Sequence, residues 1–338
     1  PRSTQGLSSA ASDVYKRQGI GNAVVDVITH ISENFIKKSS LVKGAMTLVD
    51  EKQANIFYRK MKRKIELPGG SVANTMAGIA SLGGNGAFIG RVKRDVLGKI
   101  FKKTMISINL LHPTPFAKSG PPTARCMIFV TPDAQRTLQT FLGASIYLTT
   151  QDIDEKTIKN SKVILLEGYL WDSPSARKAL KLAAKIAKKN GVMVSLSLSD
   201  RYLVQRYRGQ LLKFIKNYVD VLLANEMEIK SLFRTKNFRD IIPKARNICK
   251  INALTLSEKG SVIIDKDSVE KVKAAPAKKV VDTTGAGDLY AAGFLYGLSK
   301  CYTLSQSAKL GGIVASEIIS HDGARPVTSL KRFLKFIK

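Results

Sequence analysis

The sequence predicts an α/β fold, with a mainly parallel central sheet, helices on both faces and a small β-rich segment beside it. Three observations predict this. From Val163 onward, short apolar runs alternate with helical patterns, as in repeated βαβ units. Runs such as Val163–Glu167 and Val219–Ala224 are apolar at nearly every position, as in strands buried on both faces. Between residues 112 and 142, Pro113, Pro115, Pro121, Pro122 and Pro132 exclude helices, while Cys126–Val130 and Arg136–Phe141 have strand composition.

Taken in order, Pro1–Gln18 show no helical or strand period, are rich in Ser, Ala and Gln, and read as a foreign or disordered tail. The stretch lacks the apolar centre of a signal peptide. A single domain is therefore expected over 19–338. Ile20–Ile28 reads as one strand. Residues 41–65 mix short apolar runs with turns, Gly69-Gly70 opens a helix ending near Leu82, and Ala87–Ile89 is a short strand. Segments within 28–67 and 112–142 are expected to form the small β-rich part. The second half reads as strand Val163–Glu167, helix Pro174–Lys189, strand Val192–Leu198, helix Tyr202–Asn217, strand Val219–Ala224 and helix Glu226–Phe233. Strands Ala253–Leu256 and Val262–Ile264 and helices Leu289–Ser299 and Leu304–Ile319 complete it. In such sheets ligands bind beyond the carboxyl ends of the strands.

Composition narrows the function. With 44% hydrophobic residues, the 338-residue chain can bury a large core. No apolar run approaches the roughly 18 residues of a membrane helix. Cys126, Cys249 and Cys301 are odd in number and far apart, which points to a reducing, cytoplasmic setting. No His or Cys spacing suggests zinc. The net charge of +29 has two readings: a nucleic-acid surface, or lysines filling exposed helix positions. The second is preferred. The lysines are dispersed, those of Lys178–Lys189 surround an apolar helical stripe, and no segment interleaves basic and aromatic residues.

The most informative segment is Asp282-Thr-Thr-Gly-Ala-Gly-Asp288, between a strand-like Val280-Val281 and a helix of small residues. Gly285, Ala286 and Gly287 would present successive main-chain N–H groups at a helix N-terminus, a site for an anion. Asp288 would stand beside it, able to accept the proton of an attacking hydroxyl. A free Asp ionises near pH ~3.9, so that transfer comes late and positioning matters most. In Pro68–Gly84, Gly69 and Gly70 would let the main chain approach a ligand, with Asn74 one turn further on as a two-way hydrogen-bonding partner. In Gly19-Ile-Gly-Asn-Ala-Val-Val-Asp-Val27 the third Gly of a dinucleotide fingerprint is Val24, and Asp26 could bind vicinal hydroxyls.

The Asp282–Gly297 segment resembles the C-terminal signature of the ribokinase-like (PfkB) carbohydrate and nucleoside kinases, and Pro68–Gly84 resembles their N-terminal one. The likeness runs from Gly19 to about Pro326. It implies a three-layer ribokinase-like sandwich with a lid, with Asp288 as catalytic base and Gly285, Ala286 and Gly287 as the anion hole. Asn22, Asp26, Gly69, Gly70, Asn74 and Glu167 then fall on the acceptor side. Asn225-Glu-Met-Glu228 resembles the family's Asn-x-x-Glu element, where Glu228 would hold Mg²⁺ through water and Asn225 would lie near the nucleotide. Leu254–Gly260 resembles its nucleotide loop, with Thr255, Ser257 and Gly260 as contacts, although Ser257 replaces a Gly. Asp282 and Thr284 match positions that in some members hold a monovalent cation. The implied cofactors are ATP and Mg²⁺, with K⁺ in some members. Asn22, the Asn225–Glu228 element and Leu41–Asp50 look more like adenosine kinases than ribokinases. The expected reaction is phosphorylation of adenosine; a sugar kinase of the same family, a basic nucleic-acid-binding protein and a binding relic without turnover are the alternatives. Neither a membrane nor a nucleic acid is an expected partner, and nothing separates monomer from homodimer.

Overall fold

The computed structural model describes residues 17–133 and 135–337. Its larger sheet has nine strands. From one edge to the other they are Val269–Val272, Ser261–Ile264, Ile251–Thr255, Val221–Asn225, Met193–Ser197, Val163–Glu167, Arg17–Ile20, Gly86–Ile89 and Leu110–Leu111. All neighbours are parallel except Ser261–Ile264, which runs against both of its own.

Alternate residues of the central strands feed two apolar layers. Val163 and Leu165 pack with Val72, Met76, Phe101, Leu289 and Phe294 on one face. Ile164 and Leu166 pack with Trp171, Ala183, Leu203 and Ile229 on the other. The period of two thus has apolar residues in both phases, as a sheet covered on both faces requires. In the helix Pro174–Lys189, Ser173 caps the N-terminus, Pro174 starts it, and Ala176, Ala179, Leu180, Ala183, Ala184 and Ala187 are buried. Lys178, Lys181, Lys185, Lys188 and Lys189 of this helix are exposed, the solvated face that its pattern predicts. A denser basic group, Arg201, Arg208, Lys230, Arg234 and Lys236, lines a surface depression between the helices Arg201–Tyr218 and Glu226–Phe233. None of the described helices is long and apolar enough to cross a membrane.

A second sheet of five strands has the order Met46–Leu48, Arg136–Phe141, Ala124–Val130, Val24–His30 and Ile65–Gly69. It draws on both expected lid segments but starts earlier, at Val24. The single strand expected over Ile20–Ile28 is in fact two. The chain leaves the large sheet after Ile20, crosses through Gly21-Asn22-Ala23, and enters the small sheet at Val24. Gly21 allows the crossing because a Cβ there would collide with the Glu167 carboxylate. Residues 41–65 also hold a helix, Glu51–Lys60, started by a capping box between Asp50 and Gln53. The helix Val96–Ser107 starts on the Asp95 cap.

The expected tail is corrected at its end. Residues 1–16 lie outside the described residues, but Arg17 and Gln18 belong to the first strand, in parallel register with Gly86-Ala87 and Val163-Ile164. Their side chains suit that place poorly. Arg17 donates from Nε to Ser299 Oγ at 2.6 Å and lies over the Tyr296 ring, yet its Nη2 has no partner among the described residues. Gln18 shares the face of Ile20 and Ile164, and neither Oε1 nor Nε2 has a partner among the described residues. An unmet buried polar group costs about 1–3 kcal/mol. Gln18→Leu is therefore expected to stabilise the protein by ~1 kcal/mol or more in urea unfolding. An unchanged or lowered midpoint would show that the amide is satisfied.

Candidate active site

The site begins where the two sheets separate. Glu167 ends its strand 1% exposed, and its carboxylate gathers three N–H donors. Asn22 Nδ2 donates to Oε1 at 2.7 Å; the main-chain N–H groups of Asn22 and Val72 donate to Oε2, each at 3.2 Å. Burial raises the Glu167 pKa to about 7, against the pull of these donors. The carboxylate clamps the crossing strand to the start of the helix Ser71–Ser81. Glu167 and Asn22 therefore brace the site from behind. Gly69 and Gly70 are required by protein atoms: a Cβ on Gly69 would meet the Asp26 carboxylate, and one on Gly70 (φ 94°) would meet the Asn22 carbonyl.

In front of this brace lies Asp288. Ser71 Oγ donates to its Oδ1 at 2.6 Å and Asn74 Nδ2 donates to its Oδ2 at 3.1 Å. Thr75 Oγ1 donates to the Asp288 carbonyl at 3.0 Å. Arg325 Nε donates to Asn74 Oδ1 at 3.2 Å, which fixes the amide so that its NH2 faces Asp288. Burial raises the Asp288 pKa, while Ser71, Asn74 and the positive Arg325 oppose the rise. The acidity of Arg325 moves the other way, to a pKa of about 10, because burial disfavours its charge despite Asp26 and Asp288 nearby. Ser71 and Arg325 carry no pattern that marks them in the sequence. Ser71 merely follows Gly70, and Arg325 sits in a loop whose neighbour Ala324 packs on Gly285.

Two cavities lie near this carboxylate: Asp288 lines the smaller, and its partner Asn74 lines the larger. One, of about 580 Å³, is lined by Asp26, Asn74 and Arg325 together with Ile28, Leu67, Ala77, Ile108, Pro326 and Val327. The other, of about 200 Å³, is lined by Ser71, Ser199, Asn225, Glu228, Thr255, Gly287, Asp288 and Tyr290. Asp26 lies within the small sheet, opposite Leu67 and Cys126. Burial raises its pKa to about 7, with Arg325 and Arg136 opposing.

The helix Ala286–Ser299 begins at Gly285, which is left-handed (φ 80°), and no side chain caps it. A Cβ on Gly285 would stand 2.7 Å from that of Ala324, whereas one on Gly287 would enter open space. Gly287 is thus free of steric need within the protein, and it borders the smaller cavity. Uncapped N–H groups facing a cavity can bind an anion.

Asn225 and Glu228 form a capping box, with Asn225 Nδ2 and N donating to the two Glu228 oxygens at 2.7 and 3.0 Å. Each oxygen retains acceptor capacity, and Glu228 lines the smaller cavity, which fits a contact with the water shell of Mg²⁺. Burial raises the Glu228 pKa to about 7. Among the described residues there is no cluster of three or more His, Cys, Asp or Glu suited to a metal. Of the expected nucleotide contacts, Thr255 reaches this cavity. Ser257 (φ 54°) and Gly260 (φ 88°) instead build the turn between Ile251–Thr255 and Ser261–Ile264.

Asp282 and Thr284 do not present an open cation site. Thr284 N donates to Asp282 Oδ1 and Gly323 N to Oδ2, both at 3.0 Å, and Arg136 Nη1 pairs with Oδ2 at 3.0 Å. Arg125, on the neighbouring strand, bonds Asn55 and lies over Tyr58, within the small sheet's own packing.

The raised pKa of Asp26 has a stability consequence. Folded, it keeps its proton up to about pH 7; unfolded, it loses it near its ordinary value of 3.8. The folded state binds more protons in that interval, so stability falls as pH rises through it. Asp26→Asn, which mimics the neutral acid, is expected to raise Tm by several degrees at pH 8 and hardly at all at pH 4. An equal effect at both values would exclude a buried acid at this position.

Comparison with known proteins agrees with this geometry. Residues 60–330 match the pfkB family carbohydrate kinases. Among solved structures, the adenosine kinase of Sinorhizobium meliloti is 40% identical, with a TM-score of 0.88 over 96% of this chain and 99% of that one. A probable sugar kinase of Rhizobium etli CFN 42 is also 40% identical, with a TM-score of 0.88 over 95% and 98%. A curated relative, the 5-dehydro-2-deoxygluconokinase of Geobacillus kaustophilus, is 28% identical over 301 residues, 84% of this chain and 90% of that one. The chain belongs to the pfkB family of carbohydrate kinases, and it is an ATP-dependent phosphotransferase.

Proposed function

We propose that the enzyme transfers the γ-phosphoryl of ATP to the 5′ hydroxyl of adenosine, giving AMP and ADP. The observation that carries the choice of acceptor is the lining of the 580 Å³ cavity. Its polar groups include Asp26, Asn74 and Arg325, and its apolar ones include Ile28, Leu67, Ala77, Ile108 and Val327. Such a lining suits a ligand with a hydroxylated part and a flat apolar part. Arg325 is the one cation among the described residues that line it, and its Nε is engaged by Asn74. That favours a neutral acceptor over the anionic sugar acid named for the curated relatives. The adenosine kinase of Sinorhizobium meliloti, at 40% identity, supports the same reading. A neutral sugar is the second reading, favoured by the equally similar probable sugar kinase of Rhizobium etli.

In this scheme Asp26 holds the ribose hydroxyls. Asp288 orients the 5′ hydroxyl and takes its proton late, as the bond to phosphorus forms. Ser71 and Asn74 hold the carboxylate, and Arg325 holds Asn74. The N–H groups of Gly287 and Asp288 bind the migrating phosphoryl, whose charge spreads over its oxygens, while that of Ala286 donates to the Thr283 carbonyl at 3.2 Å. Enzymes of this family use ATP with Mg²⁺, which neutralises phosphate charge when bound. Glu228 and Asn225 would meet that ion's water shell beside the phosphates.

Two measurements test this. Asp288→Asn is expected to lower kcat by at least about a hundredfold while ATP binding persists; near-normal turnover would remove Asp288 from the role. In an ATP-consumption screen of adenosine, other nucleosides, ribose, fructose and 5-dehydro-2-deoxygluconate, adenosine is expected to give the highest kcat/KM. A sugar or sugar acid ahead of it would overturn the choice of acceptor.

A further inference from the structure

The loops on either side of the anion-binding turn are joined by a residue of the small sheet. Arg136 opens the strand Arg136–Phe141. Its Nη1 pairs with Asp282 Oδ2 at 3.0 Å and its Nη2 with Asp322 Oδ1 at 2.9 Å. The two contacts differ in setting. The Asp282 and Arg136 side chains are 8% and 13% exposed, whereas that of Asp322 is 75% exposed. Asp282 lies three residues before Gly285, and Asp322 two before Ala324, on which Gly285 packs. Asp282 is further held by Thr284 N and Gly323 N, so its two oxygens already accept two main-chain N–H groups and one guanidinium.

This is the position where the family resemblance leads one to expect a monovalent cation. The residues present do not fit one. A second positive charge beside the same shielded carboxylate would face the guanidinium at close range, in surroundings that screen it poorly. A guanidinium is also permanently charged and carries a planar fork of donors, so it can bridge two carboxylates in a way that a spherical ion cannot.

We propose that Arg136 is the built-in cation of this enzyme: its guanidinium does what an external monovalent ion would do at Asp282, and it locks the small sheet onto the loops that shape the anion site. Arg136 is a positioning residue in this account. It acts through Asp282 and Asp322 on the turn Gly285–Asp288, and the proposal rests on reading that turn as the phosphoryl site.

The test uses the full chain, with K⁺, Na⁺ or tetramethylammonium chloride at matched ionic strength. Wild-type kcat and Tm are expected to be the same in all three salts within about twofold and about one degree. Arg136→Ala is expected to lower kcat by about tenfold or more with little change in KM for ATP, and millimolar guanidinium is expected to restore part of it. Arg136→Lys, which keeps one charge but cannot bridge, should fall between the two. Selective activation or thermal stabilisation of the wild type by K⁺ would overturn the proposal. So would a loss confined to KM for ATP, which would mean direct contact with the nucleotide, or an Arg136→Ala enzyme that guanidinium does not restore. The thermal readout needs no turnover, so a cation effect on Tm and a failure of the phosphoryl-site reading are distinguishable.

Discussion

Two helix N-termini meet at one carboxylate, and the rest of the site is arranged around that contact. Asp288 begins the helix Ala286–Ser299, and Ser71 and Asn74 begin the helix Ser71–Ser81, more than 200 residues away in the chain. The helices must lie close for two hydrogen bonds to form at 2.6 and 3.1 Å. Gly78 allows this, since a Cβ there would stand 2.5 Å from Leu289 and 2.7 Å from Ala292. Gly293 and Gly311 permit an equally close approach to the helix Leu304–Ile318. Small residues along these helices thus serve geometry directly: they place the Asp288 carboxylate in the first turn of a helix that no side chain caps, on the wall of the smaller cavity.

Burial of charge is the second theme. Asp26, Glu167 and Glu228 all have pKa values near 7, chiefly because they are removed from water. Each is compensated differently. Glu167 has three N–H donors, Glu228 has its capping partner, and Asp26 has the more distant charges of Arg325 and Arg136. The least compensated, Asp26, lines the cavity assigned to the acceptor, where a bound hydroxyl would supply the missing donor. Buried acids that the protein itself compensates poorly are a usual sign of a site shaped for function.

Much of this was legible in the sequence because it is local. The glycine-rich helix start at Gly285–Asp288, the Asn225–Glu228 capping box and the βαβ alternation all depend on residues within one or two helical turns. What depends on contacts between distant segments was not legible. Gly69 and Gly70 look like ligand-facing glycines, but protein atoms account for both. Glu167 looks like a sugar contact but is a clamp, because its strand happens to end beside the crossing. Arg136 and Arg325 could not be assigned from sequence, since their partners lie more than 140 residues away. The start of the first strand was misplaced because Arg17 and Gln18 are polar, and only register with Gly86 and Val163 identifies them as strand.

The most direct test of the central claim is a crystal structure with adenosine, ADP, Mg²⁺ and beryllium trifluoride standing in for the γ-phosphoryl. The fluorines should lie within hydrogen-bonding distance of the main-chain N–H groups of Gly287 and Asp288, with the 5′ hydroxyl against the Asp288 carboxylate. A fluoride group bound away from this helix start, or a hydroxyl held by another residue, would contradict the account.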